Sequence, residues 1–119
     1  MAKKILIVDD AEFLRVRITK MLSGDGFDVF EAENGLKAVA SYKANHPDVV
    51  LMDVTMPEMD GLTALKEIKA FDTHARVVML TALGQESVVL EAVKSGARDF
   101  VVKPFERERI ISAINKLLA

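Results

Sequence analysis

The fold is indicated by Ile5-Leu6-Ile7-Val8-Asp9-Asp10 and Val49-Val50-Leu51-Met52-Asp53. Each stretch has four apolar residues followed by one or two aspartates, and the apolar residues predict a strand buried on both faces of a parallel sheet. Acids placed just past two such strands should point into one crevice at the carboxyl edge of the sheet. Carboxylates packed that closely repel one another, and a hard cation, usually Mg²⁺, relieves the repulsion. The two stretches therefore predict a Mg²⁺ site formed by Asp9, Asp10 and Asp53.

The rest of the chain alternates short apolar runs with longer amphipathic segments. The predicted strands are Lys4–Val8, Asp28–Ala32, Asp48–Met52, Arg76–Leu80 and Asp99–Val102. The predicted helices are Glu12–Ser23, one that follows Asn34-Gly35 with Leu36, Val39 and Ala40 inward, Leu62–Ala70, Glu86–Ser95 and Glu106–Leu118. Right-handed crossovers place helices on both faces of the sheet, which gives a doubly wound (βα)₅ α/β fold.

Length and composition limit the class of protein. The 119 residues suit a single domain, 1–119, with no room for an output domain after the last helix. A formal net charge of −2, no Trp and a single Tyr argue against binding to nucleic acid or to an anionic membrane surface. The chain has no Cys and no apolar run long enough to span a bilayer, and we expect no signal peptide. We therefore expect a cytoplasmic monomer.

Two further polar residues end strands at the same edge. Thr81 follows one apolar run and Lys103 follows another. Taken singly, Thr81 could cap the next helix, Lys103 could be a surface side chain, and Asp10 could cap the first helix. Together, three acids, a hydroxyl and an ammonium suit phosphoryl transfer to a carboxylate. The peptide bond before Pro104 is expected to be trans, because only about 5–6% of such bonds are cis.

These residues resemble the motif set of the receiver domain of two-component response regulators. The matching stretches are Val8-Asp9-Asp10, Met52-Asp53-Val54-Thr55-Met56-Pro57-Glu58-Met59-Asp60-Gly61, Thr81-Ala82 and Val102-Lys103-Pro104-Phe105. The resemblance covers the whole chain, and within the family it is strongest to single-domain chemotaxis regulators. It implies a flavodoxin-like sheet with strand order 2-1-3-4-5. It also implies a cis bond between Lys103 and Pro104, in place of the trans bond expected from frequency alone.

The resemblance implies a role for each acid. Asp53 would be the nucleophile that accepts a phosphoryl group from the phosphohistidine of a kinase. Asp10, Asp53 and the backbone carbonyl of Thr55 would bind Mg²⁺ directly, and Asp9 would act through a bound water.

The resemblance also implies a switch. Lys103 would pair with the phosphoryl group, Thr81 would close on it, and Phe100 would fill the space that Thr81 vacates. Phe100 is equally well explained as a core residue of its strand, and many relatives have Tyr there. Leu83 is a second departure, because polar groups that can touch the attacking water are frequent at its position.

The predicted function is a phospho-acceptor switch in chemotaxis that is not itself an enzyme. Its expected partners are a chemotaxis-type histidine kinase and either a flagellar motor switch protein or a phosphatase. The alternative is a phosphorelay intermediate that passes its phosphoryl group to a histidine phosphotransfer protein.

Three other functions fit less well. A phosphatase with an aspartyl-phosphate intermediate would need a second carboxylate at Thr55. A flavin carrier would suffer repulsion between its phosphate and the acids Asp9 and Asp10. A Ca²⁺ loop over Asp53–Gly61 fails on ligand spacing and on Pro57.

Overall fold

The computed structural model describes residues 2–119 and shows five strands that alternate with five helices. The strands are β1 (Lys4–Val8), β2 (Asp28–Ala32), β3 (Val49–Asp53), β4 (Val77–Thr81) and β5 (Asp99–Val102). The helices are α1 (Glu12–Gly24), α2 (Gly35–Asn45), α3 (Gly61–Phe71), α4 (Glu86–Lys94) and α5 (Arg107–Leu118). All strand pairs are parallel and the order is β2-β1-β3-β4-β5, so the predicted fold is confirmed.

Strands β3 and β4 each lie one residue later in the chain than predicted. Asp53 and Thr81 are therefore the last residues of their strands and do not belong to the loops that follow. Asp53 pairs in register with Leu80 of β4, which directly precedes Thr81. The strand ends thus hold the nucleophile candidate and the hydroxyl candidate side by side.

Alternation along the central strands divides the core into two layers. Leu6 and Met52 face one layer with α2, α3 and Ala92 of α4, whereas Ile7 and Leu51 face the other with α1 and α5. Both layers are dry, because the apolar residues of β1 and β3 are fully buried. This burial on both faces explains why the strands read as continuous apolar runs and not as an alternating pattern.

The inward face of α2 was predicted correctly only at Val39, which packs against the core. Leu36 and Ala40 are exposed and Val39 is half-buried, while Ala38 and Tyr42 are the side chains that enter the core. The helix is rotated because its first residue docks on a distant loop, a contact that apolar periodicity does not encode.

Two glycines hold the long β3–α3 loop against the sheet. The amide of Gly35 donates to the carbonyl of Met59 at 3.0 Å, and a Cβ at Gly35 would lie 2.4 Å from that oxygen. A Cβ at Gly61 would lie 2.0 Å from the carbonyl oxygen of Asp53. Only glycine permits this approach, so the loop stays folded beside the end of β3.

The chain reverses its direction of winding between β1 and β3. The connection through α1 leads outward to β2, and the connection through α2 returns to β3 on the other side of β1. In a sheet of this kind, ligands bind in the crevice at that reversal. No helix within residues 2–119 is long and apolar enough to cross a membrane.

Candidate functional site

The predicted acids converge at the reversal point. Asp9 and Asp10 follow β1 and Asp53 ends β3, and one carboxylate oxygen from each lies within 4.8 Å of the others. Asp9 is 1% exposed and Asp53 is 9% exposed, whereas Asp10 faces solvent. We call this group the acidic crevice. Three converging carboxylates are the donor set that a hard divalent cation prefers, so the site fits the predicted metal.

Lys103 reaches into the acidic crevice from the end of β5. Its Nζ lies 2.7 Å from Oδ2 of Asp9 and 3.2 Å from Oδ1 of Asp53. A long side chain that bridges two buried acids is not a solvated surface lysine, so that simpler interpretation is wrong. The peptide bond from Lys103 to Pro104 is cis, as the resemblance implies, and the trans expectation is wrong.

The charges of the acidic crevice act on one another. Burial raises the pKa of Asp53, the negative charge of Asp9 raises it further, and Lys103 offsets part of this effect. Burial alone would lower the pKa of Lys103, but its contacts with Asp9 and Asp53 more than compensate, so that pKa is raised. Lys103 therefore stays charged, and Asp53 is a carboxylate whose negative charge is incompletely balanced.

Capping does not account for the pair of acids after β1. Ala11 is the N-cap of α1, and no side chain caps that helix end. Asp9 instead accepts a hydrogen bond from the amide of Ala11 at 2.9 Å, which leaves its other oxygen for Lys103. The alternative in which Asp10 caps α1 is wrong, and its carboxylate is directed to the acidic crevice.

Thr81 lies at the end of β4 and is 3% exposed. Its hydroxyl lies 3.2 Å from the carbonyl oxygen of Ala82 and 3.1 Å from Oε1 of Gln85, and it can donate to either. It does not cap α4, whose N-cap is Gln85 and has no side-chain capping bond. Thr55 is exposed in the loop after β3, and the role of its carbonyl stays a prediction.

Phe100 is not a core residue. It lies on β5, 40% exposed, and lines an apolar cavity of about 280 Å³ together with Thr81. We call this cavity the α4–β5 groove; its lining residues are Thr81, Ala82, Leu83, Glu86, Val89, Leu90, Val93, Phe100 and Val102. The interpretation of Phe100 as plain strand core is therefore wrong, and the aromatic ring lies beside the space into which the switch hypothesis would move it.

Gln85 was missed by the sequence reasoning. Its side chain contacts both Thr81 and the loop after β3, with Nε2 donating to the hydroxyl of Thr55 at 3.0 Å. The only signal in the sequence is an amide side chain four residues after Thr81, at the predicted start of α4.

Comparisons with known proteins agree with this geometry. A family model described as the response regulator receiver domain matches residues 5–115. Chemotaxis protein CheY of Bacillus subtilis is 57% identical over 119 residues, which is 99% of each chain. CheY of Thermotoga maritima is 48% identical over 118 residues, 98% of each chain.

A solved structure gives the same result. The crystal structure of the CheX-CheY-BeF3-Mg+2 complex from Borrelia burgdorferi aligns with a TM-score of 0.92 at 38% identity, covering 98% of this chain and 90% of that one. Fold, acidic crevice and sequence similarity over nearly the full length agree, and this chain belongs to the response regulator receiver domain family.

Proposed function

We propose that this protein is a phospho-acceptor switch of chemotaxis, which takes a phosphoryl group from a histidine kinase onto Asp53 with the help of Mg²⁺. The observation that carries the proposal is the position of Asp53, whose carboxylate lies within 4.8 Å of those of Asp9 and Asp10 and has Lys103 Nζ at 3.2 Å. Its membership of the receiver family and its similarity to CheY proteins support the same function.

The acidic crevice supplies the donors for Mg²⁺. Asp10 and Asp53 would bind the ion directly with the carbonyl of Thr55, and Asp9 would act through water. When bound, Mg²⁺ neutralises negative charge on the transferring phosphoryl oxygens. Without the positive charge of Mg²⁺, the three acids would repel any approaching phosphate. The metal and the phosphoryl donor should therefore act together.

The remaining steps belong to side chains of this chain. An oxygen of Asp53 attacks phosphorus, the bond from phosphorus to the donor imidazole nitrogen breaks, and the imidazole leaves. The Lys103 ammonium, already in contact with Asp9 and Asp53, pairs with the new phosphoryl group and offsets part of its charge of about −1.5 to −2, while the Asp53 carboxylate gives up its own charge in forming the acyl phosphate. The Thr81 hydroxyl then closes on the phosphoryl group as a hydrogen-bond donor. We propose no turnover of a separate substrate, because the acceptor is a side chain of the protein itself.

The inward movement of Thr81 would also change the α4–β5 groove, which we propose as the surface that partners recognise. When Thr81 moves inward it leaves the α4–β5 groove, and Phe100, which lines that groove, can enter the vacated space. The ring has no hydroxyl, so the change is transmitted by packing alone. We propose that a flagellar motor switch protein or a phosphatase recognises the altered groove. The Borrelia burgdorferi relative was solved as a CheX-CheY-BeF3-Mg+2 complex, which supports recognition by a protein partner in the presence of a phosphoryl mimic.

The first experiment maps the phosphorylated residue. The protein is incubated with acetyl phosphate and Mg²⁺, and the modified peptide is identified by mass spectrometry. We expect the label on Asp53 and its complete loss in Asp53→Asn. Asp60→Asn is the matched control, because Asp60 lies in the loop that follows Asp53 and Asn can replace it as the N-cap of α3. Wild-type labelling of Asp53→Asn would refute the assignment.

A second experiment separates chemotaxis from the relay alternative. The protein is used as bait with and without beryllium fluoride, which mimics the phosphoryl group. Enrichment of a motor switch protein or a chemotaxis phosphatase supports the proposal. Enrichment of a histidine phosphotransfer domain in their place would overturn it in favour of a relay.

A further inference from the structure

The carboxamide of Gln85 joins three segments that meet at the end of β4. Its Oε1 accepts from the amide of Ala82 at 2.7 Å and lies 3.1 Å from the hydroxyl of Thr81. Its Nε2 donates to the hydroxyl of Thr55 at 3.0 Å. One side chain therefore contacts the switch threonine, the residue after it and the loop that follows Asp53.

The chemistry of the partners fixes the orientation of this amide. The N–H of Ala82 can only donate, so it must face Oε1 and not Nε2. Nε2 then points to Thr55, whose hydroxyl oxygen can accept. The arrangement uses both ends of the carboxamide, and turning the amide over would place two donors against each other at Ala82.

In this arrangement the Thr81 hydroxyl has hydrogen-bond partners other than Asp53. The single hydroxyl hydrogen of Thr81 is directed to Gln85 Oε1 or to the Ala82 carbonyl oxygen. To donate to a phosphoryl group on Asp53, the hydroxyl must leave both acceptors. Breaking a hydrogen bond to a half-buried amide costs free energy that the phosphorylated form has to supply.

Gln85 also lies where a movement of Thr81 can be transmitted to α4. It is the N-cap residue of α4, and among the described residues of that helix Ala92 alone is buried. Val88, near the start of the helix, packs half-buried against the core, so the start of α4 is held weakly and can shift when the bond to Thr81 is lost. The exposed side chains of Leu83 and Leu90, which precede and follow Gln85 in the chain and line the α4–β5 groove, would shift with it.

We propose that Gln85 is a positioning residue that holds Thr81 in the resting direction and releases it, together with the start of α4, when the phosphoryl group draws the threonine inward. The inference rests on the proposed function, because it assumes that Thr81 closes on a phosphoryl group at Asp53. It adds a resting-state restraint that acts through Thr81 and sets how easily the switch turns on.

Gln85→Ala tests the restraint. Removing it destabilises the resting state without touching the acidic crevice, so the Mg²⁺-dependent affinity for beryllium fluoride should rise about three- to tenfold, the range for loss of a single hydrogen bond. In the absence of beryllium fluoride, the NMR signals of the Thr81 methyl and the Ala82 amide should move toward their positions in the saturated wild-type protein. Ser87→Ala, an exposed change in the first turn of α4, is the matched control and should do neither.

A double-mutant cycle with Thr81→Val separates an effect of Gln85 that acts through the Thr81 hydroxyl from a general destabilisation of the start of α4. Valine keeps the shape of threonine and removes its hydroxyl, so Gln85→Ala should then add no affinity. An undiminished gain in the Thr81→Val background would overturn the inference, as would unchanged affinity and unshifted Thr81 signals in Gln85→Ala. If the wild-type protein itself binds no beryllium fluoride in Mg²⁺, the proposed function fails, and the inference fails with it.

Discussion

The acidic crevice and the α4–β5 groove lie at neighbouring strand ends but are built in opposite ways. Asp9 and Asp53 are almost fully buried and are joined by Lys103, above strands whose apolar residues are fully buried. The groove is lined by apolar side chains that remain exposed, with Leu83 at 83% and Leu90 at 58%. A site that must hold reacting atoms in place is rigid, whereas a surface that must change shape is loosely packed.

The largest test of this contrast compares two leucine truncations. Leu65 of α3 is fully buried in the core layer that also contains Ala92 of α4, and Leu90 lies exposed in α4. Leu65→Ala should lower the free energy of unfolding by about 2–5 kcal/mol, because it opens a cavity. Leu90→Ala should change it by no more than about 0.5 kcal/mol. Urea unfolding measures both values, and a cost for Leu90→Ala equal to that for Leu65→Ala would show that the groove is packed as core.

A second test concerns the metal donors of the acidic crevice. Asp10→Ala removes an exposed carboxylate that the fold does not use for capping, so Mg²⁺ affinity should fall at least about tenfold while stability is kept. Asp28→Ala, an exposed acid at the start of β2, is the control. Isothermal titration with Mg²⁺ gives the affinities of the two variants. Equal affinities of Asp10→Ala and Asp28→Ala would remove Asp10 from the ligand set.

A third test measures how the incompletely balanced negative charge of Asp53 affects stability. Because the folded protein raises the pKa of Asp53, ionising that carboxylate destabilises the fold as the pH rises through its unfolded pKa of about 4. In metal-free buffer, Asp53→Asn should therefore stabilise the protein near pH 7, and the gain should vanish at low pH, where the carboxyl is protonated in both states. Thermal unfolding across that range checks the sign. Destabilisation at pH 7 would mean that the pair with Lys103 outweighs burial and the Asp9 charge.

The smallest expected effect has the opposite sign and lies outside both regions. The Tyr42 hydroxyl donates to Asp72 at 2.7 Å, and this hydrogen bond lowers the pKa of Asp72. Tyr42→Phe should cost about 1 kcal/mol at neutral pH. The cost should disappear as the pH falls through the lowered pKa of Asp72, because the protonated acid no longer favours the bond. A pH-independent cost, measured by urea unfolding, would assign the loss to packing alone.

The sequence was sufficient for the parts of the molecule that local pattern encodes. The strand order came from the family resemblance, and the five strands from their apolar runs. The positions of Asp9, Asp10, Asp53, Thr81 and Lys103 at strand ends followed because parallel strands bring their carboxyl ends to one edge. The errors at β3 and β4 were shifts of a single residue, and they did not move any site residue away from that edge.

The rotation of α2 depended on a contact between distant parts of the chain. Gly35 meets the carbonyl of Met59, so Ala38 and Tyr42 turn inward in place of the predicted Leu36 and Ala40. Apolar periodicity reports which residues can be buried, but the docking of the first turn decides which of them are.

The amino-acid pattern is enough to predict a parallel sheet whose carboxyl edge gathers acids, a hydroxyl and an ammonium, since strand burial and side-chain type are local properties. Three features depend on tertiary packing: Lys103 bridges Asp9 and Asp53, Phe100 lies in an open groove, and Gln85 contacts both Thr81 and Thr55. Those contacts join side chains from different strand ends and loops, and their geometry exists only once the sheet and its helices have packed.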